Sequence, residues 1–192
     1  KEGWAKALRQ IISRLYAGEI PSWDVSKVRP SGARLKTFGG RASGAEPLEN
    51  LFKFTIGIFK KAAGRKLTSL ECHDLMCQVA AAVVVGGVRR SAMISLSDLN
   101  DDRMRHAKMG NWWNEQVNRS YANNSISFTE RPDMGSFLRE WSAIYESKSG
   151  ERGIFNREAA KAKAAANGRE VRDDFGTNPC GEISLRSKQF CN

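Results

Sequence analysis

No stretch of this chain comes near the ~18 consecutive apolar residues of a membrane-spanning helix, so no such helix is expected. Its first residues, Lys1-Glu2-Gly3-Trp4, do not read as a secretory signal peptide. Histidine is scarce: His73 and His106 are the only two, neither has a partner at metal-ligand spacing, and no metal site is expected. The four cysteines, Cys72, Cys77, Cys180 and Cys191, include no CxxC pair and do not match a small secreted scaffold. They fit a reducing compartment, and the chain reads as cytoplasmic. Cys72 and Cys77 fall in a predicted helix, where five residues separate Cα atoms by ~8 to 9 Å, too far for an undistorted disulfide. Both read as packing residues. A disorder signature is also missing, and 41% hydrophobic residues in 192 can fill a substantial core.

Positive charge is what the chain has in excess, with 31 Lys and Arg against 21 Asp and Glu and a formal net charge of +10. That balance points to an anionic partner, either nucleic acid or a phosphorylated small molecule. The basic residues are scattered, so a solvated surface explains most of them equally well. A basic nucleic-acid-binding module, favoured also by five tryptophans, is the alternative from another class. It predicts salt-sensitive binding to long DNA or RNA, whereas an enzyme acting on nucleotides binds NTP and dNTP with no dependence on polymer length.

Along the chain, Trp4, Leu8, Ile11, Ile12 and Leu15 recur at helical spacing and predict an amphipathic helix over 3–17, ended by Gly18. Trp23 to Val28 and Ala33 to Phe38 are candidate short strands around the Arg29-Pro30-Ser31-Gly32 turn. The glycine-rich run from Phe38 to Leu48, with Arg41, Ser43 and Gly44, leads into a helix; it either meets an anion or is an ordinary connection. Leu48, Leu51, Phe52, Phe54, Ile56, Ile58 and Phe59 lie nearly all round a helix expected to be buried on more than one side. Thr68 and Glu71 form a capping-box pattern opening a helix to about Val85, where Gly86-Gly87 stops it.

Arg89 and Arg90 then precede the apolar strand Ala92 to Leu96; each offers a planar donor fork to a phosphate or base, or the pair is simply solvated. Ser97-Asp98 is expected to cap a short helix through Arg105. Trp112 and Trp113 either stack on a base or anchor a loop. Ala122 to Phe128 alternates as a strand. Pro132-Asp133 opens a helix whose Phe137, Leu138, Trp141, Ile144 and Tyr145 read as a core stripe. Gly153 to Asn156 is a short strand, and Arg157 to Ala166 a helix stopped by Asn167-Gly168. The alternation of strands and helices predicts an α/β fold with parallel strands.

The densest chemistry lies from Thr177 to Leu185, Thr-Asn-Pro-Cys-Gly-Glu-Ile-Ser-Leu. If the segment is extended, Asn178, Cys180 and Glu182 point to one side, and Gly181 lets a ligand approach the backbone. The same residues also make an ordinary turn into a strand.

Asn178-Pro179-Cys180-Gly181-Glu182-Ile183 resembles the active-site finger loop of ribonucleotide reductases, in the form usual for the adenosylcobalamin-dependent class. Cys191-Asn192, eleven residues beyond Cys180, resembles the entry of their second active-site cysteine. Residues 29–48, the run Gly86-Gly87-Val88-Arg89-Arg90-Ser91, the Asn123-Asn124-Ser125 strand and residues 153–156 are similar to further segments of that family. Ala45 departs from the proline usual after the Ser-Gly pair.

The resemblance implies part of a ten-stranded α/β barrel with a finger loop, and residues 1–192 as a single incomplete catalytic domain, inactive alone. It implies reduction of ribonucleotides to 2′-deoxyribonucleotides through a thiyl radical on Cys180, generated by adenosylcobalamin that this fragment alone does not hold. Glu182 would take the proton of the 3′-hydroxyl, Asn178 would hold the ribose hydroxyls, and Cys191 would be one member of the reducing pair. Ser43, Gly44, Asn124, Ser125 and Gly181 would contact substrate. Gly87, Arg89, Arg90 and Ser91 would form a specificity loop reporting a bound dNTP effector. A thioredoxin-like dithiol is the implied reductant; neither a membrane nor nucleic acid is an implied partner. An oxygen-dependent metal-radical reductase of the same fold is the alternative within enzymes.

Overall fold

The computed structural model describes residues 2–36, 39–85, 88–89, 91–171 and 175–191, with backbone alone for Val84, Val85, Val88 and Arg89. Two compact units divide the chain, Lys1–Ser91 and Ala92–Asn192.

The first unit is mainly helical. Helix α1 (Glu2–Tyr16) supplies the stripe read from its spacing, with Ile11 buried and Trp4, Leu8 and Leu15 packed around it. Against it lies α2 (Glu46–Lys61), whose Leu48, Leu51 and Phe52 complete a core closed by Ala82 of α3 (Ser69–Ala82). Full burial in α2 is confined to the face carrying Leu48, Leu51, Phe52 and Thr55; Phe54, Ile56, Ile58 and Phe59 are half-buried. The helix α3 ends earlier than expected, and the chain goes directly into a two-residue antiparallel pair, β1 (Val84–Val85) with β2 (Val88–Arg89).

The strand expected at 23–28 does not form, nor, among the described residues 33–36, does the one expected at 33–38, whose last two residues lie outside the described ones. The Asp24 carboxylate accepts hydrogen bonds from the Ser26 N–H (2.8 Å) and hydroxyl (2.9 Å), giving the backbone a local partner in place of a ladder. Between 33 and 42 the described backbone pairs by a single bridge, Arg34 to Arg41. Of the two cysteines in α3, Cys77 is fully buried, as packing requires, but Cys72 is exposed.

The capping box at the start of α3 is complete. Thr68 Oγ1 accepts from the Glu71 N–H at 3.2 Å, and Glu71 accepts from the Thr68 N–H at 2.8 Å. The Arg65 guanidinium grips the same carboxylate at 2.7 and 2.8 Å, and this contact, with the Thr68 N–H, lowers the Glu71 pKa to about 2. A carboxyl titrating at about 4.3 in the unfolded chain and lower when folded stabilises the fold above that range. The contribution is lost as pH falls through the folded value. Glu71→Gln is therefore expected to melt below wild type at about pH 6, with the gap closing by about pH 2. Thermal melts of both proteins across that range check it, and an unchanged gap at the acid end counts against the pairing.

The second unit is α/β. Strands β3 (Met93–Ser97), β4 (Ala122–Phe128) and β5 (Gly153–Asn156) form a parallel sheet in the order β3-β4-β5. The register pairs Ser95 with Asn124 and Ser125 with Gly153. Between β3 and β4 lie the short helices α4 (Asp102–Arg105) and α5 (Trp112–Glu115) and a 3₁₀ turn at Val117–Tyr121. The cap of α4 is Asp101, accepting from the Met104 N–H, instead of the expected Ser97-Asp98. Helix α6 (Met134–Ser147), capped by Asp133, joins β4 to β5, and α7 (Arg157–Ala166), capped by Asn156, follows β5. A final antiparallel pair, β6 (Gly176–Thr177) and β7 (Ser184–Leu185), closes the described chain.

The orientation of α6 corrects the expected core stripe. Leu138, Trp141 and Tyr145 are exposed, while Glu140, Ala143 and Ser147 are buried. The reason is ionic. Glu140, at 0% exposure, accepts from Arg152 Nε (2.9 Å), Arg152 Nη2 (2.8 Å) and Arg105 Nε (2.7 Å), and Arg152 itself is 1% exposed. Burial acts to raise the Glu140 pKa, yet the hydrogen bonds and charges of Arg152 and Arg105 outweigh it and hold the carboxyl below its ordinary value. Charge-assisted hydrogen bonds of this kind form only if Glu140 faces inward, which turns the aromatic side outward.

Candidate functional site

The antiparallel pair β6 and β7, in register Gly176 to Leu185 and Thr177 to Ser184, holds the loop of residues 178–183 at its end. The path is not extended. Gly181 has φ +87°, a left-handed conformation that glycine adopts without steric cost, and its N–H donates to the Asn178 carbonyl at 3.0 Å. The i, i+2 alternation therefore does not set the side-chain directions here. Asn178 closes the neck instead: its N–H donates to the Ile183 carbonyl and its Oδ1 accepts from the Ile183 N–H, both at 3.0 Å. Its Nδ2 donates to Glu182 Oε1 at 2.7 Å, so the amide holds the carboxylate in place. Asn178 is buried, at 1% exposure, whereas Cys180 and Glu182 are exposed.

Beside this loop, within the second unit, is a cleft of about 400 Å³. Its walls come from β4, from the approach to β5 and from the loop: Asn123, Asn124, Ser125, Glu151, Gly153, Cys180 and Gly181 all line it. Four residues predicted from sequence, Asn124, Ser125, Cys180 and Gly181, thus share one cavity. Glu182 and Asn178 stand at the neck of the same loop, joined to each other. A Cβ at Gly153 would come 2.9 Å from Ser125 Oγ, so glycine there leaves the hydroxyl where it is.

Two residues of this region, Lys108 and Glu151, escaped sequence reasoning, and Asn123, read only as part of the Asn123-Asn124-Ser125 segment, has a contact that the sequence does not predict. Asn123 Nδ2 donates to the Pro179 carbonyl at 2.7 Å, tying β4 to the loop. Glu151 accepts from Lys108 Nζ on one oxygen (2.8 Å) and from the Asn124 N–H on the other (2.9 Å). Lys108 is buried and also donates to the Ala122 carbonyl. With both oxygens engaged, Glu151 supports the wall. The doublet Asn123-Asn124 at a strand start was the available signal for Asn123. Nothing local marks Lys108 or Glu151.

Elsewhere, Ser43 and Gly44 belong to the first unit, in a loop folded on itself: Arg41 Nη1 donates to the Gly32 carbonyl at 3.0 Å, and Gly44 (φ +80°) packs on Ser31. Ser91 Oγ donates to the Ala80 carbonyl at 3.0 Å, at the end of α3. Gly87, Arg90 and Asn192 lie outside the described residues, as does the Arg89 side chain. Cys191 is exposed, and all four cysteines are free thiols. Among the described residues no cluster of His, Cys, Asp and Glu could hold a metal ion, and no helix is long and apolar enough to cross a membrane. The cleft presents no imidazole and, at about 400 Å³, does not fit a corrin; its size and polar walls suit a sugar.

No family model matches the chain. Over its whole length it is 33% identical to an adenosylcobalamin-dependent ribonucleoside-triphosphate reductase of Lacticaseibacillus paracasei, of which it covers 26%. It is 32% identical, again over its whole length, to the enzyme of the same description from Lactobacillus leichmannii, covering 27%. The chain thus spans about a quarter of the length of these curated relatives. The crystal structure of a B12-dependent (class II) ribonucleotide reductase superposes with a TM-score of 0.64 at 30% identity, covering 85% of this chain and 22% of that one.

Proposed function

We propose, on the premise that the chain is a relative of the adenosylcobalamin-dependent ribonucleotide reductases, that it carries the reacting thiol of such an enzyme. The carrying observation is the loop that presents Cys180 to a polar cleft while Asn178 holds Glu182 at its neck. The cleft and loop would be part of a ten-stranded barrel, the finger loop reaching inside it.

Replacing a ribose 2′-hydroxyl by hydrogen is hard because hydroxide is a poor leaving group and C2′ is unactivated. A radical at C3′ removes that obstacle. Cys180, as a thiyl radical, takes the 3′-hydrogen: the S–H bond forms as C3′–H breaks, and similar bond strengths make the step reversible. In the full enzyme adenosylcobalamin, which this cleft does not fit, would supply the radical. Glu182 accepts the 3′-hydroxyl proton, and Asn178, buried with its amide bonded to Glu182 and Ile183, keeps the ribose hydroxyls in register through Glu182. Asn124 and Ser125 line the sugar's side of the cleft, with Ser43 and Gly44 as further substrate contacts.

The 2′-hydroxyl leaves as water, its proton and the hydrogen gained at C2′ coming from a cysteine pair that includes Cys191; the pair is oxidised to a disulfide and renewed by a thioredoxin-like dithiol, and Cys180 returns its hydrogen to C3′. Gly87, Arg89, Arg90 and Ser91 report a dNTP effector to the substrate site. None of the relatives described above is named as a nucleic-acid-binding protein.

The test is product analysis with the full-length protein. Deoxyribonucleotide is expected from ribonucleotide when adenosylcobalamin and a dithiol are both present, and from neither alone. Turnover without adenosylcobalamin would transfer the reading to the oxygen-dependent class.

A further inference from the structure

We propose that Asn123 is the positioning residue of the thiol loop: its amide, donating to the Pro179 carbonyl, fixes the peptide unit joining Pro179 to Cys180 and so sets where the sulfur sits in the cleft. This deepens the reading of Cys180 as the reacting group. The hydrogen bonds described inside the loop, between Asn178 and each of Gly181, Glu182 and Ile183 and from Thr177 Oγ1 to the Ile183 carbonyl, close its neck upon itself. They fix the loop's shape, not the place of its tip over the sheet. The bond from Asn123 to Pro179, across 56 residues of sequence, ties that tip to β4 at 2.7 Å.

The base of this strut is rigid. Both neighbours of Asn123 are pinned from behind, Ala122 by Lys108 through its carbonyl and Asn124 by Glu151 through its N–H, and Lys108 and Glu151 are paired at 2.8 Å. On its flank, β4 is also laddered to β3, with Asn123 opposite Ile94. A reactive group must be held to a fraction of an ångström by residues that are themselves held, and this chain of contacts runs from a buried ammonium to the peptide of the thiol. Asn123 touches no reacting atom in this arrangement. It acts through the Pro179 carbonyl.

The experiment compares wild type with Asn123→Ala and Asn123→Asp in the full-length protein; both lack the donor, and the second keeps the shape. Two quantities are read: steady-state ribonucleotide reduction, and the alkylation rate of Cys180 by iodoacetamide without nucleotide, followed on its peptide by mass spectrometry. A misplacement of about 1 Å predicts kcat lower by roughly tenfold to a hundredfold, with KM within about twofold. The alkylation rate is expected to change by more than about threefold, because thiol reactivity follows its surroundings. Asn123→Gln, which retains the amide, is expected to recover part of both. If the first two variants do not fold, Asn123→Gln and Asn123→Ser carry the comparison.

A rise in KM with kcat unchanged would make Asn123 a substrate ligand and overturn the proposal, as would an unchanged alkylation rate. Alkylation requires no turnover, so a wild type that reduces no ribonucleotide defeats the reductase reading alone, and the positioning role is still decided by the thiol.

Discussion

Cys180→Ser in the full-length protein is expected to lower kcat for ribonucleotide reduction by at least about 10³-fold while leaving nucleotide affinity within about twofold. Serine nearly reproduces the shape of cysteine, and the loop is held by Asn178, Thr177, Gly181 and Asn123, none of which bonds through the Cys180 side chain. Stability should therefore change by no more than about 0.5 kcal/mol, as for a surface substitution. What changes is the strength of the bond to hydrogen. An O–H bond is much stronger than the activated C–H bond, so the exchange at C3′ loses its balance. Product quantification by chromatography, with equilibrium binding of the same ribonucleotide, separates the two effects. A variant retaining more than a tenth of wild-type kcat would remove Cys180 from the chemistry.

The second large effect is on stability. Glu140→Gln is expected to destabilise the second unit by about 3–5 kcal/mol, because removing one partner of a buried ion cluster leaves the remaining charges uncompensated. The two guanidiniums concerned differ in their alternatives. Arg105 keeps Asp102 at 2.6 Å, whereas Arg152 retains only Ser97 and the Asp98 carbonyl among the described contacts. Glu140→Leu combined with Arg152→Leu is accordingly expected to recover part of the loss.

Urea unfolding monitored by tryptophan fluorescence gives both numbers. The pH dependence has a definite sign: the Glu140 carboxyl is held below its ordinary value when folded, so its contribution is complete above about pH 4.3 and falls away on acidification. The wild type should lose more stability than Glu140→Gln between about pH 6 and pH 3.

These two residues also mark what was and was not legible in sequence. The thiol loop announced itself through a short run in which Pro179 and Gly181 dictate backbone geometry. The capping box of α3, the strands β4 and β5 and the ends of α7 were equally readable, since each depends on residues within a few positions of one another. The facing of α6 was not. Its pattern of apolar residues predicts Leu138, Trp141 and Tyr145 inside, but Glu140 is drawn in by Arg152, 12 residues on, and Arg105, 35 residues back.

In the site, the same distinction separates Asn124, Ser125, Cys180 and Gly181, legible as motif residues, from the supports behind them. The pairs Asn123 to Pro179 and Lys108 to Glu151 span 56 and 43 residues, distances at which no local signal survives. The strand misread at 23–28 fails for the opposite reason: the Asp24 side chain is a strictly local competitor that alternation of apolar residues does not register.

The position of the cleft along the sheet bears on which end of a nucleotide it can receive. Ile94 and Asn123 to Ser125 belong to the leading halves of β3 and β4, Gly153 to Phe155 open β5, and Gly150 and Glu151 follow within four residues of the end of α6. The peptide dipoles of that helix present their negative pole at this end of the strands, while the Glu151 carboxylate is offset by the Lys108 ammonium at 2.8 Å. Each phosphate charge brought to such a pole is disfavoured by about 0.3–1 kcal/mol, whatever the +10 on the chain as a whole. Under the proposed function, a nucleotide would accordingly enter this cleft with its ribose inward and its phosphates directed away from that pole.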